Sequence, residues 1–132
     1  ANGDAPQAAA LAEHALRMFE MATTTRAGVV QAKIFYARSL NASGNFSAAA
    51  TAAEDSVGEA ASRLGDLQHS SFMGQALLEL AAAKQGLGDA KAARDDITRA
   101  LENLSPTLGP RSSDVARAEA VRHSLDAVAR GR

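Results

Sequence analysis

The chain has 132 residues, with 14 basic and 15 acidic side chains, no cysteine, no tryptophan, four phenylalanines and one tyrosine. That inventory excludes disulfides and thiolate zinc sites, and a formal charge of −1 without a basic cluster argues against a nucleic-acid groove or a polybasic membrane patch. No apolar run is long enough to span a bilayer, so no membrane insertion is expected. Alanine contributes 32 residues, whereas isoleucine and valine together contribute eight, a balance that favours helices over sheets and predicts an all-α domain.

In chain order, the opening Ala1-Asn2-Gly3-Asp4 has neither an initiator methionine nor an apolar signal segment. It reads as the start of an excised fragment, with a cytoplasmic location expected. A first helix is predicted over about Ala5 to Met21, capped by Asp4 with Pro6 in its opening turn. A second covers about Thr25 to Ala42 and stops at Gly44, a residue suited to a left-handed C-terminal position. The third runs from about Phe46 to Leu64, ending at Gly65. The fourth spans about Asp66 to Leu87, and the fifth about Ala90 to Leu104 behind Asp89 as its cap. Ser105-Pro106 and Gly109-Pro110 then break the chain before a sixth helix over about Asp114 to Arg130.

A spacing of 44 residues runs through this pattern. Gly44-Asn45 recurs as Gly88-Asp89, Ala37 as Ala81, Ala49 as Ala93, Val57 as Leu101, and Leu64-Gly65 as Leu108-Gly109. A weaker copy lies 41 residues upstream, where Gly3-Asp4, Ala8, Ala15 and Leu16 align with Gly44-Asn45, Ala49, Ser56 and Val57. The second to fifth helices thus form two hairpins, each closed by a turn so short that its helices must run antiparallel. Small side chains at matching positions let the backbones approach in both.

These residues resemble a tetratricopeptide repeat. Leu77, Leu80, Ala81, Gly88, Ala93, Ile97, Ala100 and Leu101 match the family's order of small and apolar positions, with Pro106 after the second helix. Tyr36, Ala37, Leu40, Gly44, Phe46, Ala49, Ala53 and Val57 match less completely. Lys33 stands where the family prefers a large apolar residue, and Ser56 replaces an alanine. The longer period and the Leu108-Gly109-Pro110 linker are similar to the long-repeat variety of kinesin light chains and bacterial signalling proteins, without that linker's His-Pro. The resemblance implies an α-solenoid: an unpaired helix over 1–22, repeats over 25–65 and 66–105, and a capping helix over 112–130. In that last helix Val115, Ala118, Val121, Leu125 and Val128 form one apolar stripe opposite charged residues, which suits the closing of a stack.

Catalytic signatures are missing. His14, His69 and His123 stand more than fifty residues apart without partners for metal or acid–base chemistry, and neither a nucleophile elbow nor a phosphate-binding loop occurs. Gly86-Leu87-Gly88 follows a helix rather than a strand, and Glu54-Asp55 and Asp95-Asp96 are neighbours that a helix points about 100° apart. Neither an enzyme nor a cofactor is expected. What remains is recognition of a protein or peptide. The resemblance places a groove-facing stripe at Gln31, Ile34, Arg38 and Asn41 and, one repeat on, at Gln75, Leu78, Ala82 and Gln85. Ile34, Phe35 and Leu78 are the expected apolar anchors, and the amides offer a donor and an acceptor to a peptide backbone. Some family members hold a terminal carboxylate with a basic clamp. Ile34 and Leu78 occupy its positions here, leaving Arg38 and Asn41 as a remnant. The alternative is a structural module that self-associates as a homodimer through Leu11, Leu16 and Phe19 of the open first helix.

Overall fold

The computed structural model describes residues 26–64 and 69–130, together with Ala10, Glu13, His14 and Arg17. Apart from those four positions, the predicted first helix lies outside the described residues. Five helices follow one another: α1 (Arg26–Ala42), α2 (Phe46–Leu64), α3 (Ser71–Gly86), α4 (Ala90–Leu108) and α5 (Ser113–Arg130). No strand occurs among the described residues, so the fold is all-α.

Both short turns are built alike. Gly44 and Gly88 sit at φ 81° and 85°, a region that costs a residue with a Cβ but not glycine. After α1, Gly44 N–H donates to the Asn41 carbonyl at 3.1 Å and Asn45 N–H to Leu40 at 2.9 Å. After α3, Gly88 N–H donates to Gln85 at 3.0 Å and Asp89 N–H to Lys84 at 2.9 Å. Each pair satisfies the last carbonyls of its helix in a Schellman arrangement and turns the chain back within three residues. Asp89 then caps α4, its side chain accepting from Ala92 N–H.

Two predicted boundaries move. The fourth helix was expected from Asp66, but α3 begins at Ser71 behind Ser70, whose hydroxyl accepts from Met73 N–H while its own N–H is held by Asn103 Oδ1 at 3.0 Å. A capping serine tied to α4 through its own N–H fixes the start of the helix. The break expected at Ser105-Pro106 is absent, and α4 carries Pro106 within it to Leu108. A proline this close to a helix end costs one hydrogen bond, and the carbonyl it leaves without its helical donor belongs to the exposed Glu102. Gly109, at φ 83°, ends the helix instead.

Packing follows chain order. Each helix lies against its sequence neighbours, and α3 also touches α1 on one side and α5 on the other; α1 and α5 do not pack together, nor do α2 and α4. Ala37, Ala49, Ala53, Ala76, Ala81, Ala83, Ala93 and Ala100 are all fully buried at these crossings. The largest apolar cluster gathers Leu77, Leu78 and Ala81 of α3, Ile97, Leu101 and Leu104 of α4, and Val115, Ala118 and Leu125 of α5. Ser56, which replaces an alanine, is buried with its hydroxyl satisfied, donating to the Ala52 carbonyl at 2.9 Å. No helix among the described residues is long and apolar enough to cross a membrane.

Candidate functional site

One residue breaks the apolar run of α3. Glu79 stands within Ala76-Leu77-Leu78-Glu79-Leu80-Ala81 and is completely buried. A lone buried carboxylate would be expelled or neutralised. Here three partners reach it from α1 and α5, two of the helices that flank α3. From α1, Arg38 Nε donates to Oε2 at 3.0 Å, and Asn41 Nδ2 donates to Oε1 at 3.1 Å and to the Glu79 carbonyl at 2.9 Å. From α5, Arg117 forks onto both oxygens, with Nη2 donating to Oε1 at 2.9 Å and Nη1 pairing with Oε2. Burial alone would raise the Glu79 pKa, but the hydrogen bonds and charge of Arg117, followed by the bonds from Arg38 and Asn41, hold it below the usual carboxylate range. The hydrogen bond to Glu79 correspondingly raises the Arg117 pKa against its own partial burial.

The network continues outward along the same face. Arg38 Nη2 donates to Asp114 Oδ1 at 3.1 Å, and Gln75 Nε2 donates to Asp114 Oδ2 at 2.7 Å. Three turns further along α3, Gln85 Nε2 donates to Ser124 Oγ at 3.1 Å. Two carboxylates thus face two guanidinium groups, and the local charge is balanced.

Beside this network opens a cleft of about 580 Å³, lined by Arg38, Asn41, Ala42, Phe46, Ala82, Gln85, Gly86 and Arg117. Its floor is apolar. The Phe46 ring lies over Gly86, where an added methyl would overlap it. Its walls are polar. Asn41 spends both donor contacts on Glu79, so its buried Oδ1, which has no partner, is fixed as an acceptor.

Of the groove residues expected from the sequence, Arg38, Asn41, Ala82 and Gln85 come together at this cleft. Gln75 sits further along the network on Asp114, and Gln31 is exposed, two turns of α1 before Arg38. Ile34 and Leu78 are corrected. Ile34 is 3% exposed, packed with Val30, Ala60 and Ala76, and Leu78 is wholly buried in the main cluster, so neither is available as an anchor. An apolar side chain beside a helix crossing gains more from the core than from an open face. Phe35, by contrast, is 56% exposed. Arg38 is no free clamp remnant, since Glu79 and Asp114 neutralise it. Leu11, Leu16 and Phe19 lie outside the described residues.

Glu79, Asp114, Arg117 and Phe46 went unnoticed in the sequence stripe. An isolated acidic residue inside an eight-residue apolar helical run was the available signal for Glu79. His69 and His123 are exposed, and among the described residues no group of three potential ligands gathers to hold a metal. No protein-family model matches the chain, and neither a curated protein nor a solved structure matches it.

Proposed function

We propose that the chain is a non-enzymatic α-solenoid of the tetratricopeptide kind, a module of a larger bacterial signalling or regulatory protein, and that it docks a segment of a protein partner along the concave face formed by α1, α3 and α5. The contact pattern supports the solenoid reading: α1, α3 and α5 adjoin in sequence, while α2 and α4 stay apart on the other side. The observation that carries the docking reading is the cleft itself. It joins an aromatic floor at Phe46 to a charge-balanced rim at Arg38 and Arg117, and on α1 the exposed Phe35 lies one turn before Arg38. Such a surface suits a neutral extended segment with a small apolar side chain better than a strongly charged one.

Selection from a displayed peptide library tests this. The wild-type chain is expected to enrich a consensus, and Ala42→Arg or Ala82→Arg, which fill the cleft from positions with access to solvent, are expected to abolish its capture with helical circular dichroism unchanged. Undiminished capture by both variants would place the binding surface elsewhere.

A further inference from the structure

The two outer helices of this face are joined in an unexpected way. Helices α1 and α5 have no backbone packing, because α3 lies between them. Arg38 nevertheless spans the gap, its Nη2 on Asp114 in the first turn of α5 and its Nε on Glu79 of α3. Helix α5 itself has two kinds of attachment. Val115, Ala118 and Leu125 bury it in the main core, and such apolar contact is non-directional. Among the described residues, the directional contacts of α5 with α3 lie on the groove side, through Gln75–Asp114, Glu79–Arg117 and Gln85–Ser124. The lateral position of α5 relative to α1 is therefore set by polar rungs, and Arg38–Asp114 is the rung that reaches the far wall.

We propose that Arg38 and Asp114 form a clasp across the groove, holding its two outer walls at a fixed separation until an occupant displaces the Asp114 contact. The chemistry favours opening at that point. Arg38 is 38% exposed, so its bond to Asp114 is weakened by water, whereas its bond to fully buried Glu79 is protected. Opening leaves the guanidinium anchored on Glu79 and Asp114 anchored by Gln75, so neither group is stranded. The clasp builds on the docking reading, yet it is a property of the unliganded chain and is measurable without a partner.

Two cysteines introduced at exposed Gln31 and Ala120, in a chain with none of its own, carry spin labels on α1 and α5. A second pair at Lys91 and Ala120 reports on the α4–α5 seam. With Asp114→Asn, and separately with Arg38→Met, the α1–α5 distance distribution is expected to broaden and shift to longer separation while the α4–α5 distribution stays narrow. Unchanged α1–α5 distributions in both variants would overturn the clasp, as would equal broadening of both pairs, which denotes general loosening. If Arg38→Met loses helicity through its second bond to Glu79, Asp114→Asn decides alone. A peptide-capture failure with the shifted distances intact would refute the docking reading and leave the clasp standing.

Discussion

The two hairpins share a period and a turn, but they place bulk and charge differently. At one crossing the first hairpin sets Val30 of α1 against the small Ala60 of α2. Forty-four residues on, the sizes are exchanged, and Gly74 of α3 makes room for Leu104 of α4, so near that a Cβ on the glycine would stand 2.6 Å from Leu104 Cγ. At a second pair of equivalent positions, Lys33 bridges to Asp55 at 3.0 Å and Glu59 at 3.2 Å on α2, whereas Leu77 is buried in the main cluster. At a third, Phe35 projects into solvent where Glu79 is sealed between two helices. The repeat therefore conserves the volume and the hydrogen-bond closure of each crossing and not the chemistry of its residues. The second hairpin, with α1 on one side of α3 and α5 on the other, buries an ion cluster that gathers residues from all three helices.

The size exchange gives the largest expected effect. Leu104→Ala should cost about 2 to 5 kcal/mol through the cavity it leaves, and Gly74→Val about 1 to 3 kcal/mol through overpacking. The double variant, which installs the first hairpin's Val and Ala, should lose clearly less than the sum of the two in urea denaturation. Strict additivity would show that the crossings are not equivalent. Next comes the buried charge. Glu79→Ala should destabilise by about 2 to 3 kcal/mol, below the usual cost of orphaning a buried charge because Arg38 and Arg117 regain water; a loss near zero would mean that the cluster adds nothing to stability. Ala81→Leu, at a fully buried crossing, should cost about 1 to 3 kcal/mol, while an exposed alanine such as Ala116 should tolerate the change.

Acid titration sharpens the same contrast. The folded-state pKa of Glu79 is depressed, so its contribution is complete above the unfolded value of about 4.3 and disappears as pH falls through the lower folded value. The stability difference between wild type and Glu79→Gln should therefore be constant near neutrality and shrink only below about pH 4. A difference that already declines above pH 6 would contradict the depressed pKa. The smallest effect belongs to Phe35→Ser, expected to alter stability within about 0.5 kcal/mol, because the ring is largely in water already.

Much of this architecture is legible in the sequence. Glycine at the two turns, followed by Asn45 or Asp89, announced a left-handed cap and a reversal, and the 44-residue recurrence of alanine marked the crossings that are buried. Lys33 and Ser56, the two departures from the repeat pattern, proved to be compensated by partners on α2 and by the Ala52 carbonyl. The candidate site was only half readable. The stripe that the resemblance implies puts Arg38, Asn41, Ala82 and Gln85 on one face, and these four do line the cleft together. Such a stripe does not tell how deeply a neighbouring helix covers that face. Ile34 and Leu78 were consequently assigned to the open side, and Arg117 and Asp114, contributed by a helix read only as a cap, were overlooked.

The meeting of Phe46 with Gly86 has a consequence of its own. The ring fills the place a side chain at 86 would need, so the capacity of the cleft depends on one hydrogen atom at the end of α3. A methyl at position 86 would force the ring or the backbone beside it to move, and so would reshape the cavity with no charged residue altered.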